Sequence, residues 1–293
     1  MKLWLCVAVA GASGLLVGLG FSSAFKTAAD EKASAPGAVA PPSVVSENPV
    51  GRGLDASLYM QSSAEYRAAC YQAYQFAEVR LRQRLAAAPK DGLKPAVIMD
   101  LDETVLDNGA FQAMMLRSGL AYDQRLWDIW EEKHGDTVGP IPGAKEFILA
   151  AEAAGVKVCH ISNRKELYRA QTEKVLERLG IPIADESTLQ LADDKTGSNK
   201  TDRRKKIADA YRVLLIVGDN LRDFDEKFRF GSMDMERPET IVSGIEARKS
   251  SVDLDKAKFG DSWIILPNPS YGEWNKPMGQ GRGDYRWLVS EKK

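Results

Sequence analysis

The sequence predicts an α/β protein with a mostly parallel sheet covered by helices on both faces. Two observations carry this. Short apolar runs recur between turn residues, as in Val156–Ile161 and Val213–Val217, and stretches with helical apolar spacing separate them. Composition agrees: the 293 residues are 44% hydrophobic and 28% charged with a formal net charge of −1, which suits a domain with a sizeable core and excludes a mostly disordered chain.

The same arithmetic narrows the function. Lys+Arg 40 against Asp+Glu 41 gives no basic field for nucleic acid. Three cysteines, Cys6, Cys70 and Cys159, cannot build a disulfide scaffold or a four-cysteine zinc site. Two histidines, His134 and His160, leave little room for histidine-based chemistry, so a hydrolase of this composition works with carboxylates.

Residues 1–25 read as a secretory signal: Lys2, an uncharged apolar run from Leu3 to Phe25, and small residues ending Ser22-Ser23-Ala24. Cleavage is expected after Ala24, and the run is also long enough for an uncleaved membrane anchor. Export to the periplasm or cell envelope follows from either. Residues 26–58, rich in Ala, Pro and Ser, read as a flexible tether. The globular domain is expected over 59–293. With the leading segment removed, Cys70 and Cys159 remain, and their spacing leaves a disulfide open.

The elements follow in order. Ser62-Ser63 can cap a helix fading near Ala88, with Glu65 in its first turn. Lys94–Leu101 contains a buried strand ending at Asp100. Residues 110–133 read as helical, with Trp127 and Trp130 on one core-facing side. Pro142 opens a helix that Gly155 stops. The second strand is Val156–Ile161, and a helix from Glu166 ends at Gly180. A short third strand lies at Thr188–Leu191, a helix at 199–210, the fourth strand at Val213–Val217 and a fifth at Trp263–Leu266.

In such a sheet, ligands bind beyond the carboxyl ends of the strands. Strand one ends in Asp100-Leu-Asp102-Glu-Thr-Val-Leu-Asp-Asn. Strand two runs into Ser162-Asn163-Arg164, and strand four into Gly218-Asp219-Asn-Leu-Arg-Asp223. Lys200 lies in the Ser198-Asn-Lys-Thr-Asp-Arg segment between them. Alone, each has an ordinary explanation: Asp219 or Ser162 as a helix cap, Lys200 as a solvated charge. Jointly they place acids, a hydroxyl and a lysine at the tips of one sheet. A turn at Leu101 would bring Asp100 and Asp102 into the same crevice. Arg203–Lys206 reads as a solvated helix face, and Glu103, Asp107 and Asp225 as structural.

The ordered motifs DLDETVLDN, SNR, SNKTDRR, VGDNLRDF and LPNPSYGEW resemble the haloacid dehalogenase superfamily. Within it they are most similar to the class C nonspecific acid phosphatases, which include bacterial outer-membrane lipoprotein 5′-nucleotidases. The resemblance runs from about residue 58 to the end. It implies a three-layer fold with a small helical cap, here about 108–140, and phosphate monoester hydrolysis. Asp100 is then the nucleophile and Asp102 the general acid and later base. Ser162 and Lys200 serve the phosphoryl group, with Asn163 and Arg164 as weaker substrate contacts. Mg²⁺ is the expected cofactor, held by Asp100, the Asp102 carbonyl and Asp219, with Asp223 as a further ligand or orienter. Tyr122 from the cap and Tyr271 from the C-terminal segment match aromatics that stack on a nucleotide base, so nucleoside 5′-monophosphates are the expected substrates. Two alternatives stay open: phosphotransfer to an alcohol, and a surface protein binding a ligand such as haem on the same scaffold.

Overall fold

The computed structural model describes residues 53–278 apart from 196 and 232–236. The leading segment, most of the tether and the residues after 278 lie outside that range. Five parallel strands form the sheet among the described residues: β1 (Pro95–Met99), β4 (Lys157–Lys165), β5 (Leu189–Ala192), β6 (Arg212–Gly218) and β7 (Trp263–Ile265). Their order is β5-β4-β1-β6-β7, so β1 is central. Val97 pairs with Val158 on one side and Leu215 on the other, which fixes the register around it.

Alternation along β1 splits the core. Val97 and Met99 join the larger cluster, with Cys70, Tyr74 and Phe147 of the helices α2 (Ala64–Ala86) and α5 (Ala144–Ala153). Ala96 and Ile98 face the other way and pack with Cys159, Ile161 and Ile207 of α7 (Thr201–Ala210). The two cysteines thus belong to clusters on opposite faces, and both are free, buried thiols. Burial pushes the Cys70 thiol up to about 11 and the Cys159 thiol up to about 12.

Local signals set several ends. The Ser63 hydroxyl accepts the Tyr66 amide at 3.0 Å and caps α2. A further helix, α1 (Leu54–Ser62), begins inside the segment read as tether. The stretch 110–133 is not one helix but two, α3 (Gly109–Ser118) and α4 (Gln124–Lys133). Gly119, at φ 66°, ends the first in a left-handed turn that a β-carbon would resist. Asp123 then caps the second by accepting the Arg125 amide at 2.8 Å. Two short antiparallel strands, β2 (Leu106–Asp107) and β3 (Gly139–Pro140), root this helical insert beside β1. Trp127 and Trp130 pack on Phe111 with ring centroids 5.0 and 5.5 Å away, as expected for core residues. The remaining helices are α6 (Arg169–Leu179), the short α8 (Leu221–Phe224) and α9 (Pro238–Leu254), the last unmarked by any clear apolar period. No helix among the described residues is long and apolar enough to cross a membrane.

His160 sits on β4 between Met99 and Leu189, and neither ring nitrogen has a hydrogen-bond partner among the described residues. Burial lowers its pKa from 6.5 to about 4. An unfolded histidine takes its proton near 6.5, whereas the folded one refuses it until about 4. Stability therefore declines as pH falls through that window and levels off below it, by about 3 kcal/mol in all. His160→Leu is expected to remove that part of the acid loss. Unfolding midpoints recorded from pH 7 to pH 4 check it, and parallel curves for the two proteins refute it.

Candidate active site

The carboxyl ends of β1, β4 and β6 meet in one place because the three strands are adjacent and parallel. The β1 tip continues in hydrogen bond with β6, the Asp100 amide donating to the Val217 carbonyl at 3.0 Å. The chain then turns sharply: the Leu101 carbonyl accepts the amides of Val105 and Leu106, each at 2.7 Å. Within that turn Glu103 adopts φ 57°, a left-handed conformation uncommon for a residue with a side chain.

The turn does bring Asp100 and Asp102 to the same end of the sheet, but into different company. Asp100 belongs to a buried cluster. The Lys200 ammonium donates to Asp100 and, at 2.7 Å, to Oδ1 of Asp223. Asp219 lies beside them, accepting from Asn268 Nδ2 at 2.8 Å and from the Thr104 hydroxyl at 3.3 Å. One carboxylate oxygen from each of Asp100, Asp219 and Asp223 lies within 4.8 Å of the others. Three hard oxygen donors at that spacing fit a divalent cation.

Electrostatics follow from this crowding. Burial, then the carboxylates of Asp223, Asp219 and Asp102, push the Asp100 carboxyl upward against the pull of Lys200. Burial and Asp223 push Asp219 up to about 7. Burial alone would lower the Lys200 ammonium, but Asp100 and Asp223 outweigh it and hold the charge well above its usual range.

Gly218 makes room for this cluster. A β-carbon there would lie 2.6 Å from the β-carbon of Asp223. Gly218→Ala is therefore expected to push Asp223 off the cluster and cost about 1–3 kcal/mol. Thermal unfolding with and without a divalent cation checks this: both the baseline and the gain from the cation should fall, and an unchanged midpoint refutes it.

Asp102 is held apart. Its Oδ1 accepts from Asn108 Nδ2 at 2.9 Å and Arg164 Nε at 2.8 Å, and Ser162 Oγ lies 3.3 Å from its Oδ2. Ser162 thus turns toward Asp102, and its Oγ also accepts the Arg164 amide at 3.1 Å. Arg164, read as a substrate contact, is 1% exposed and donates Nε to Asp102 and Nη2 to Asn108. All three residues of the SNR motif lie within β4 rather than after it. Asn163 is exposed, and its side-chain oxygen accepts from Arg203 at 2.8 Å.

Arg203 corrects another expectation. It is buried rather than solvated, and it donates to the Ser162, Gly197 and Asn199 carbonyls as well, tying the loop before Lys200 to the end of β4. The Lys200 amide itself donates to Glu226 at 3.0 Å.

The aromatic candidates sit in different settings. Tyr122, between α3 and α4, is 60% exposed and meets Phe111 edge-on. Tyr271 is half-buried and donates its hydroxyl to Glu103. Glu103 therefore does more than shape the turn: it is fully buried, accepts the Asn108 amide at 3.0 Å, and joins the C-terminal segment to the loop of Asp102. Asp107 and Asp225 are structural as expected, accepting the amides of Gly109 at 2.7 Å and Lys227 at 3.0 Å.

Sequence reading missed Asn108, Glu131, Asn268 and the buried role of Arg203. Asn268 stands in the LPNPSYGEW motif, which could have drawn attention to it. Asn108 likewise ends the DLDETVLDN motif, whereas Glu131 carries no comparable signal. Glu131 of α4 is buried, accepts the Lys165 amide at 3.0 Å, and is pushed up to about 7 by burial and Asp102.

Comparisons with known proteins bear on the family and the fold. The class C acid phosphatase of Bacillus anthracis has a similar structure, with a TM-score of 0.69 and 33% identity over 84% of this chain and 93% of that one. The same figures hold for a structure of that protein with tungstate bound. The family model for the HAD superfamily, subfamily IIIB (Acid phosphatase), matches residues 33–274. The chain therefore belongs to that subfamily of acid phosphatases and is a phosphomonoesterase.

Proposed function

We propose that the protein hydrolyses nucleoside 5′-monophosphates through an aspartyl-phosphate on Asp100, with Mg²⁺ as cofactor. The observation that carries this reading is the pair of separate carboxylate settings: Asp100 in a cluster with Lys200, Asp219 and Asp223, and Asp102 outside it. The three cluster carboxylates and the Asp102 carbonyl would hold the cation. When bound, it neutralises charge on the phosphoryl oxygens and on Asp100.

The chain's own groups then act in two steps. An Asp100 oxygen attacks phosphorus, the ester P–O bond breaks, and Asp102 gives its proton to the departing oxygen. Asp102 next takes a proton from water. The water oxygen attacks phosphorus, the acyl-phosphate P–O bond breaks, and Asp100 and phosphate are released. Lys200 lessens repulsion between Asp100 and the incoming dianion. The relative with tungstate supports the reading, since tungstate is a tetrahedral oxyanion like phosphate.

Tyr122 and Tyr271 would stack on the base, which every base allows through its π-face. The leading apolar segment makes export, by a cleaved signal or a membrane anchor, part of the same proposal.

The test is phosphate release from a panel of nucleoside monophosphates and phenyl phosphate, with Mg²⁺ or chelator. Turnover is expected only with the cation. Tyr271→Ala should raise KM for the nucleotides by roughly tenfold, from a stacking energy of about 1–3 kcal/mol, and leave phenyl phosphate far less affected. Equal effects on both substrates would refute the base-stacking role, and turnover in chelator the cation.

A further inference from the structure

We infer that Asn108 and Arg164 are positioning residues that fix the side-chain rotamer of Asp102, and that Trp130 of the helical insert holds Asn108 for that task. The inference rests on the reading of Asp102 as the general acid.

The geometry is that of a built support. Both Asn108 Nδ2 and Arg164 Nε donate to Oδ1 of Asp102, at 2.9 and 2.8 Å. Two N–H donors leave that oxygen no lone pair for a proton. A proton on Asp102 therefore resides on Oδ2, the oxygen beside Ser162. The support decides which oxygen can protonate a leaving group and where it points.

The orientation of the Asn108 amide is itself determined. Its Oδ1 accepts from Trp130 Nε1 at 3.0 Å and from Arg164 Nη2 at 3.0 Å. With two donors on the oxygen, the amide nitrogen must face the Asp102 carboxylate. Arg164 has no freedom to leave: it is buried, its fork spans Asp102 and Asn108, and its guanidinium carbon lies 5.8 Å from the centre of the Trp127 ring. The β1 tip, the insert and β4 thus converge on one carboxyl group. Asn108 and Trp130 spend their side-chain polar atoms on one another, Asp102, Arg164 and the Leu106 carbonyl, so their effect on the reaction passes through Asp102. Proton donation tolerates little misplacement of the donor.

Leaving-group dependence separates this role from general damage. A 2,4-dinitrophenolate leaves without protonation, whereas phenolate needs it. The experiment measures kcat/KM, which includes ester cleavage and excludes the later water step, for 2,4-dinitrophenyl, 4-nitrophenyl and phenyl phosphate. The variants are Asn108→Ala, Arg164→Lys and Trp130→Phe, with Asp102→Asn as reference. Expected is an extra loss on phenyl over dinitrophenyl phosphate of roughly tenfold or more in Asn108→Ala and Arg164→Lys, and a smaller one in Trp130→Phe. Losses equal across the three substrates overturn the inference. Should Asn108→Ala fail to fold, Trp130→Phe decides, because it keeps an aromatic ring in the core and removes the N–H that holds Asn108. If Asp102→Asn itself loses equally on all three, Asp102 is not the acid and the underlying reading fails. If only Asp102→Asn shows the dependence, this inference fails and that reading stands.

Discussion

Asp100→Asn is expected to stop phosphate release, lowering kcat by about 10⁴-fold or more, because an amide cannot replace the attacking carboxylate. The fold should survive. Burial, and then repulsion from the neighbouring acids, already push the Asp100 carboxyl upward against the pull of Lys200, so removing its charge relieves the cluster. Lys200 retains Asp223 at 2.7 Å and can still donate to the new amide oxygen. The unfolding midpoint is therefore expected to be equal or higher, while the activity disappears. Turnover compared in the same cation-containing buffer checks the activity, and unfolding compared without added cation checks the midpoint. Residual turnover within tenfold of wild type would sink Asp100 as nucleophile. A collapsed midpoint would sink the account of its electrostatics.

Lys200→Met carries the second large effect, on stability as well as rate. The ammonium is the cation that faces Asp100 and Asp223 together, and all three side chains are nearly buried. Removing one partner of a buried ion pair typically costs about 3–5 kcal/mol, because the remaining charges lose their compensation. The loss should be largest without a divalent cation and shrink when one is added, since the cation neutralises the same carboxylates. It should also shrink as pH falls below 7. Protons then bind acids that burial has already raised, Asp219 at about 7 among them. Turnover with the cation is expected to fall by about 10²–10³-fold from lost stabilisation of the phosphoryl group. Differential scanning calorimetry at pH 7 and pH 5, with and without Mg²⁺, provides the check. A midpoint loss independent of both variables would mean that Lys200 balances no charge in this cluster.

Much of the fold was legible because its determinants are local. Five apolar runs became the five strands of the sheet, and the glycines read as helix stops, 155 and 180, adopt left-handed turns just after their helices. The weakly patterned α9 was not legible, since it has no strong apolar face to announce it. The single helix expected over 110–133 failed for a local reason too: Gly119 stops it, and Asp123 restarts it. At the site, Asp100, Asp219, Asp223 and Lys200 could be picked out as polar residues following strands or standing in an ordered motif. Their convergence was readable from topology alone, as adjacent parallel strands bring their carboxyl ends together.

The sequence by itself determined the strand and helix alternation, the carboxylate-rich character of the site and the near-neutral charge of the whole. What each polar side chain touches was decided only by the tertiary structure. Arg203 reads as a solvated cation and Arg164 as a substrate contact in the chain, yet both are buried because carboxylate, amide and carbonyl oxygens from distant segments surround them. Asn108 looks like a turn residue, yet its amide joins Asp102, Arg164 and Trp130. Cys70 and Cys159 could have paired by spacing, and the sheet between their clusters keeps them apart. Helix and strand patterns depend on neighbours a few residues away. Hydrogen bonds between side chains tens of residues apart exist only once the sheet has set their distances.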